Sequence, residues 1–379
     1  MTVASLTSHE AIYLTARQSR SDARRERLGR LTRWLAVAVG FTIPLSTSVC
    51  EIVTGLFVLC CLISEWPRLA GCLRGGGGVP AAAATLFGAL ALGTLWSSAG
   101  FEDGVRCLLK YREFLYLPLL ALVFAEPKWR TPAIYSFVAG CLTLLGLSYF
   151  EWAANFDMGI EHFKCPTDSV VTKDRIIHGL LMSLSCFLCV LEFQRNTGWK
   201  RWLAVGVIAA TLPNILFLVS GRTGYLALSA LTLVLFTHRM GRRGFAIATI
   251  TLGLGGMLAY LASPLVRDRV AQTVSQINNQ FGPERKKSLD PRLEFYTNTL
   301  TLLRRHPWTG TGTGSFRKEY AALVAGTDMV AVSEPHSEFL LLSAQLGIGG
   351  GLAFLLLLAL QWRSAGKMPL WERQVLRGV

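Results

Sequence analysis

Blocks of roughly 16 to 22 mostly apolar residues recur along the chain, and they constrain its fold more than any other feature of the sequence. A helix needs about 20 apolar residues to cross the hydrocarbon core of a bilayer. Only helices and closed barrels satisfy their backbone groups in lipid, and the blocks lack the alternating pattern of barrel strands. The sequence therefore predicts an all-α polytopic membrane protein.

About ten membrane-spanning helices are predicted. They lie near residues 33–49, 51–66, 80–97, 113–126, 131–150, 176–193, 202–219, 222–237, 243–262 and 338–362. Lys and Arg concentrate in alternate short loops, which marks those loops as cytoplasmic. On a soluble chain the formal charge of +14 would suggest a nucleic-acid partner. Here membrane orientation accounts for the charge, so the expected partner is the lipid bilayer and no nucleic acid is expected.

The same alternation divides the chain into five parts. They are a basic cytoplasmic arm at 1–32, a transmembrane bundle at 33–262, an outer loop subdomain at 263–337, a transmembrane helix at 338–362 and a cytoplasmic tail at 363–379. In the long loop, apolar residues recur at helical spacing and predict a small helical cap on the outer face. These residues are Leu293, Tyr296, Leu300 and Leu303.

The stretch "SGRTGY" at 220–225 places Arg222 at the outer boundary of the hydrocarbon, where a charge is costly unless it is paired or reaches the interface. Two interpretations are open. Arg222 reaches lipid headgroups, or it presents its guanidinium to an anionic ligand. Gly221 and Gly224 would let a backbone or a ligand approach closely.

The stretch "DPRLEFYTNTLTLLRRHPWTGTGTGSF" at 290–316 begins an amphipathic helix with Arg292 and ends in a glycine-rich run. No strand–turn–helix pattern surrounds Gly310, Gly312 and Gly314, so a dinucleotide site is not indicated. The glycines are interpreted as a flexible turn, and His306 as a cap of the preceding helix.

The stretch "EPHSEFL" at 334–340 places His336 just before the last apolar block. Imidazole titrates near neutral pH, so His336 is a candidate general base. Glu334 or Glu338 would orient it through the other ring nitrogen. The alternative is an interfacial histidine with two surface carboxylates beside it.

Two further stretches, "KYREF" and "RIIHGLL", place charges or imidazoles at the outer ends of spans. They contribute the secondary candidates Lys110, Arg112, Arg175 and His178. Each is interpreted as an interface anchor or as part of the entrance for a polyprenyl diphosphate or a phosphorylated acceptor.

In chain order, "SGRTGYLAL", an arginine ahead of "HPWTGTGTGSF", and "PHSEFLLLSAQLGIGG" resemble the O-antigen ligase and O-antigen polymerase superfamily over about residues 200–360. The resemblance implies a multi-pass glycosyltransferase of the bacterial inner membrane, with a cytoplasmic N-terminus and a periplasmic active site. It also makes the loop subdomain periplasmic. The implied donor is a glycan on undecaprenyl diphosphate, and the implied acceptor of a ligase is the lipid A–core oligosaccharide of lipopolysaccharide.

By the same resemblance the family's two functional arginines fall on Arg222 and Arg292, and its histidine on His336. The chain departs from the family at Ser337, where the family often has Asn. Family members also tend to have about twelve spans, and a truncated chain would explain why about ten are predicted here.

Glycosyl transfer from a lipid diphosphate leaves negative charge on the departing group. Many sugar transferases neutralise such charge with a divalent metal on an Asp-x-Asp pair, and this sequence contains no such pair. Arginine matches phosphate oxygens bidentately, so Arg222 and Arg292 are predicted to hold the diphosphate. No metal and no cofactor is expected. No nucleophile for a two-step route stands out, so direct attack with inversion is predicted.

Three alternatives share parts of this pattern. An O-antigen polymerase would use a lipid-linked glycan as acceptor, and a protein O-oligosaccharyltransferase would glycosylate Ser or Thr. A lipid or polysaccharide transporter would place charges near the membrane midplane and build paired broken helices in two related halves. The charges here crowd one outer face, and the long basic loop suits a phosphorylated acceptor, so the ligase is preferred.

Overall fold

The computed structural model describes residues 8–74, 78–154, 170–219, 221–281, 291–327 and 329–378. The chain is an all-α polytopic membrane protein, as predicted: 85% of the described residues are helical, and these residues contain no strand. Ser220 of the "SGRTGY" stretch and residues 282–290 of the predicted loop subdomain lie outside the described residues. The α-helices are α1 (Ser8–Leu45), α2 (Thr47–Arg74), α3 (Val79–Gly93), α4 (Phe101–Lys110), α5 (Glu113–Phe124), α6 (Arg130–Ala154), α7 (Arg175–Arg195), α8 (Trp199–Pro213), α9 (Arg222–Ala262), α10 (Pro264–Phe281), α11 (Pro291–Arg305), α12 (Phe316–Val324), α13 (Glu338–Ala365) and α14 (Leu370–Gly378).

Seven stretches of the described chain are long and apolar enough to cross a membrane. They are Thr47–Gly71, Val79–Trp96, Pro127–Ala154, Arg175–Arg195, Trp199–Leu218, Arg222–Ala262 and Glu338–Ala365. The predicted span near 113–126 falls on α5, whose 12 residues extend only about 18 Å. The predicted boundary at residue 50 is wrong. The break lies at Ser46, whose hydroxyl accepts from the amide of Val49 at 3.4 Å and so caps the start of α2.

Helix α9 contains two of the predicted spans, 222–237 and 243–262. Gly241 lies between them with φ 57° and ψ −135°, outside the helical region. A Cβ atom on Gly244 would overlap the carbonyl oxygen of Phe236, although residues eight apart in a straight helix are separated by about 12 Å. The chain therefore reverses direction at Gly241, as a turn between two spans requires.

The described residues of Met1–Gly75 and Leu119–Gly140 form one compact unit. Its core includes Phe57, Cys61 and Leu119. The guanidinium of Arg33 lies 2.7 Å from a carboxylate oxygen of Glu126, and a half-buried charge in a bundle is expected to be paired in this way.

The described residues of Gly76–Pro118 and Cys141–Val379 form a second unit, in which α7 packs against α8 and α9. Helices α7 and α9 meet at two glycines: a Cβ atom on Gly179 would lie 3.0 Å from the Cα atom of Gly224. The hydroxyl of Ser183 also donates to the carbonyl of Gly224 at 3.0 Å. Small residues permit such close crossings in membranes. Gly224 therefore serves helix packing, one of the two uses that the sequence left open.

The predicted tail at 363–379 contains a helix of its own. Helix α14 packs on α7, with the guanidinium of Arg195 lying 4.4 Å from the ring centroid of Trp371. Val375 is buried in this contact region. The tail is thus part of the second unit's packing, because its amphipathic sequence gives it one apolar face to bury.

Helix α11 confirms the predicted helix in the long loop, but its buried face differs from the predicted one. Leu293 and Leu300 are both 40% exposed, whereas Thr299 and Leu302 are buried. Leu302 lies in one cluster with residues of α12 and the first part of α13, and Phe295 packs against that cluster. Spacing alone did not distinguish two stripes on this helix, and tertiary packing buried the one that contains Phe295 and Leu302.

Helix α13 is interrupted at Gly347, where φ is 73° and ψ is −171°. In a continuous helix the carbonyls of Ala344 and Gln345 would accept from the amides four residues later. Here they accept from the amides of Thr311 and Gly312 at 3.0 and 2.9 Å, and the freed amide of Ile348 donates to the carbonyl of Pro307 at 2.8 Å. The predicted single span at 338–362 is therefore two helical segments, and the backbone of the glycine-rich loop satisfies the groups at their junction.

Candidate functional site

The glycine-rich loop at 307–315 is a fixed part of the site. Gly310, Gly312 and Gly314 have φ values of 63°, 91° and 84°, a region that favours glycine. Cβ atoms on them would meet the backbones of Gln345, Ser97 and Asp103 respectively, at separations below ordinary contact. The interpretation as a flexible turn is wrong, because each glycine allows a close backbone contact that holds the loop in place.

A cavity of about 900 Å³ opens beside this loop, entirely within the second unit. Its walls come from α4, the start of α5, the glycine-rich loop, the start of α12, and the stretch from Ser333 into α13. The residues lining it are Ala99, Asp103, Arg106, Cys107, Lys110, Tyr111, Glu113, Phe114, Gly314, Phe316, Arg317, Lys318, Ala321, Ser333, Glu334, Glu338, Leu341, Gln345 and Phe354. Cavities of roughly 300–1,000 Å³ are typical of small-molecule sites.

A hydrogen-bonded network forms one wall of the cavity. The Gln345 side chain is 1% exposed; its Oε1 atom accepts from the amide of Gly314 at 2.8 Å, and its Nε2 atom donates to the hydroxyl of Tyr111 at 3.3 Å. Tyr111 in turn is hydrogen-bonded to Glu338. Burial, and then the nearby carboxylate of Glu338, raises the pKa of the Tyr111 phenol. The phenol therefore stays protonated and donates to Glu338, which fixes that carboxylate on the cavity wall.

His336 lies in the loop that leads into α13, on a backbone with φ 55°. Among the described residues it is the one non-glycine residue with positive φ. Such conformations cluster at functional sites, where the surrounding structure enforces them. Its ring lies 5.7 Å from the ring of Phe295 on α11, and its Nδ1 atom lies 3.8 Å from a carboxylate oxygen of Glu334. Of the two predicted partners, Glu334 is the one near the imidazole, while Glu338 is hydrogen-bonded to Tyr111.

The two arginines lie at the starts of different helices. Arg292 is the second residue of α11, exposed, and three positions before Phe295, so it lies one turn from the residue that packs on His336. Arg222 is the first residue of α9, and its Nη1 atom donates to the Thr273 hydroxyl of α10 at 3.3 Å. These contacts connect His336 to α11 and Arg222 to α10. Contact of all three with one substrate stays a prediction.

The secondary candidates separate into two groups. Lys110 and Glu338 line the cavity. The guanidinium of Arg112 donates to the Tyr116 hydroxyl of α5 at 3.1 Å and to the Leu109 carbonyl of α4 at 2.8 Å. Arg112 is not among the residues that line the cavity.

Arg175 and His178 lie at the start of α7, where the side chain of Asp174 caps the helix. His178 is 0% exposed, and its Nε2 atom is 2.9 Å from the side-chain oxygen of Asn214. Asn214 donates to the hydroxyl of Ser148 at 2.8 Å. This geometry fits a histidine that joins neighbouring helices, whereas an entrance for substrate requires an accessible side chain.

Several lining residues were not singled out from the sequence. Gln345 carried a usable signal, because a polar residue inside an apolar block is a functional candidate by default. Tyr111 and Arg317 carried no comparable signal in the sequence. Tyr111 only follows the basic residue Lys110, and Arg317 is one of many cations in the long loop. Their importance follows from the cavity alone.

The family model described as O-antigen ligase matches residues 204–355. The match contains Arg222, Arg292 and His336, together with the glycine-rich loop and the first segment of α13. No curated protein matches the chain significantly. The family match supports glycosyl transfer of the O-antigen ligase or polymerase type in lipopolysaccharide biosynthesis. Residues 204–355 thus match the O-antigen ligase family model, which supports the resemblance that the ordered motifs of the sequence indicated.

Proposed function

We propose that the protein transfers an O-antigen glycan from undecaprenyl diphosphate to the lipid A–core oligosaccharide, at the periplasmic face of the bacterial inner membrane. The N-terminus is cytoplasmic in this proposal. The observation that carries it is the setting of His336 within the matched region: a strained backbone between the carboxylate of Glu334 and Phe295, one helical turn from Arg292.

The proposed reaction is a single displacement. A hydroxyl oxygen of the acceptor attacks the anomeric carbon, the bond from that carbon to the diphosphate oxygen breaks, and the configuration inverts. The hydroxyl proton passes to the imidazole of His336, and undecaprenyl diphosphate leaves with the bonding electron pair. Glu334 stabilises the imidazolium that forms, since its carboxylate lies 3.8 Å from Nδ1.

Arg222 and Arg292 neutralise the charge that develops on the departing diphosphate. Guanidinium groups match phosphate oxygens bidentately and stay charged throughout the reaction. A fixed donor of this kind lowers the barrier by roughly 2.7–4 kcal/mol, or about 10²–10³ in rate. The proposal assigns this role to arginine in place of a metal ion.

The test measures glycan transfer by the purified full chain in liposomes, with a lipid-linked donor and lipid A–core. Arg222→Ala, Arg292→Ala and His336→Ala should each lower transfer by roughly 10²–10³ while membrane insertion is retained. Arg304→Ala is the matched control, because Arg304 is an exposed arginine on the same helix as Arg292. Full activity of His336→Ala would remove the general base, and chelator-sensitive transfer restored by a divalent ion would remove the metal-free mechanism.

The acceptor decides between the related enzymes. The same liposomes, supplied in turn with lipid A–core, a second lipid-linked glycan or a Ser-containing protein, should yield product with lipid A–core. The transporter alternative would need a path through broken helices. The break in α13 is instead filled by the backbone of residues 307–312, which favours surface chemistry.

A further inference from the structure

The geometry points to the 900 Å³ cavity as a binding site for a saccharide that carries an anionic group, a phosphate or a carboxylate. In the proposed function this saccharide is the acceptor, and only that role rests on the proposed function. Glu334, the carboxylate 3.8 Å from the imidazole of His336, lines the cavity, whereas His336 itself is not among the lining residues.

In the part of the chain that the structure describes, four cations line the cavity, and two of them make ion pairs or hydrogen bonds within the protein. The guanidinium of Arg106 lies 2.8 Å from Glu102 and 3.7 Å from Asp103, and the ammonium of Lys318 donates to the carbonyl of Ser98 at 2.6 Å. The two others are Lys110 and Arg317.

Within the described part of the chain, neither Lys110 nor Arg317 makes an ion pair or a hydrogen bond. Lys110 ends α4 and Arg317 lies in the first turn of α12, so both cations are placed on the wall by helix termini. Two available cations on one cavity wall favour an anionic ligand, because charge-assisted hydrogen bonds to phosphate or carboxylate are the strongest that they can make.

The rest of the wall suits a sugar. The carboxylates of Glu113 and Glu338 can accept from sugar hydroxyls, and Tyr111 holds Glu338 in position. Phe114 and Phe354 add apolar faces for the C–H side of a ring. An apolar ligand would leave these carboxylates desolvated without partners, and a simple inorganic anion would leave most of the volume unfilled.

A ligand-observed NMR titration tests this with the full chain in phosphatidylcholine nanodiscs and no donor present. The probes are glucose 6-phosphate, glucose and inorganic phosphate. Glucose 6-phosphate should bind at least about tenfold more tightly than either of the others, since charged hydrogen bonds are worth about that factor. Equal binding of glucose would overturn the anionic requirement, and equal binding of inorganic phosphate would overturn the saccharide.

Three variants that each remove one positive charge locate the site. Lys110→Gln and Arg317→Gln should each weaken glucose 6-phosphate binding by roughly tenfold. Arg106→Gln should change it less than about twofold, because that guanidinium is already paired within the same cavity. Equal losses in all three would show that general charge, and not these two cations, attracts the probe, which contradicts the proposal.

A second readout needs no variant. Cys107 lines the cavity, so glucose 6-phosphate should slow its alkylation in the wild-type chain and leave Cys60 of the other unit unaffected. Displacement of the probe by phosphatidylglycerol nanodiscs would assign the cavity to a lipid headgroup and overturn the saccharide site. If glucose 6-phosphate did not bind, the acceptor site would be wrong and the proposed glycan transfer would be unaffected. If it bound but the chain transferred no glycan, the proposed function alone would be wrong.

Discussion

At the scale of single residues, the positive φ of His336 restricts which residues can replace it, independently of any role of its imidazole. A φ of 55° is tolerated by His and Asn and is a severe outlier for a β-branched residue. His336→Asn should therefore keep the thermal stability of the chain while losing transfer, and His336→Val should destabilise it by roughly 1–2 kcal/mol. Melting curves of the purified chain measure both. The same pair of changes at Glu334, which lacks a positive φ, should differ little; equal melting of the two His336 variants would contradict the backbone argument.

Cys107 reports on the charges of the cavity at the same scale. Burial raises the pKa of its thiol, Lys110 lowers it and Glu338 raises it. A raised pKa keeps the thiol neutral, so its alkylation should still be accelerating at pH values where the same cysteine in the unfolded chain has levelled off. Lys110→Gln should slow alkylation at a fixed pH and Glu338→Gln should speed it. Site-specific mass spectrometry measures the alkylation rates. If both variants changed the rate in the same direction, Lys110 and Glu338 would not act on the Cys107 thiol with opposite sign, which contradicts the prediction.

At the scale of elements, the junction between α13 and the glycine-rich loop is the feature most sensitive to substitution. A Cβ atom on Gly347 would overlap the carbonyl of Trp308 and would also strain a backbone with φ 73°. Gly347→Ala should remove most of the folded protein, beyond the roughly 1–3 kcal/mol of backbone strain alone. Gly349→Ala, two residues later with open space around it, should be neutral or slightly stabilising. Size-exclusion profiles and melting curves compare the two variants. Equal yield and equal melting temperature would contradict the proposed contact between the glycine-rich loop and Gly347.

At the scale of the whole molecule, the charge pattern predicts the orientation in the membrane. The amide of Ser98 donates to the carbonyl of Thr311 at 3.1 Å, so the loop at 98–112 and the long loop lie on one side of the second unit. In intact spheroplasts an impermeant maleimide should label Ser98→Cys and Ser333→Cys, and it should reach Arg242→Cys only after permeabilisation. The cysteines of the parent chain give the background. Labelling of Arg242→Cys in intact cells would reverse the orientation.

The sequence indicated which residue types are candidates for the site, but it did not indicate which residues meet in the folded chain. Arg222 and His336 were singled out because they lie at predicted span boundaries, where charged or titratable groups have few structural uses, and Arg292 was singled out through the family resemblance. The roles of all three stay predictions. The residues of the cavity wall did not stand out: Tyr111 and Gln345 are 234 residues apart in the sequence, and folding brings their side chains to 3.3 Å. The buried face of α11 was missed for a related reason, since two stripes satisfy the same helical spacing.

The sequence alone determined that this chain is a helical membrane protein and where most spans lie, because each span must satisfy its own backbone and match its hydropathy to lipid locally. Its ordered motifs also indicated the family whose model matches residues 204–355. Only the tertiary structure decided that α13 is broken at Gly347, that the glycine-rich loop fills the break, and that a charged cavity forms beside it. These depend on hydrogen bonds between backbones far apart in the chain, which no local pattern of residues encodes.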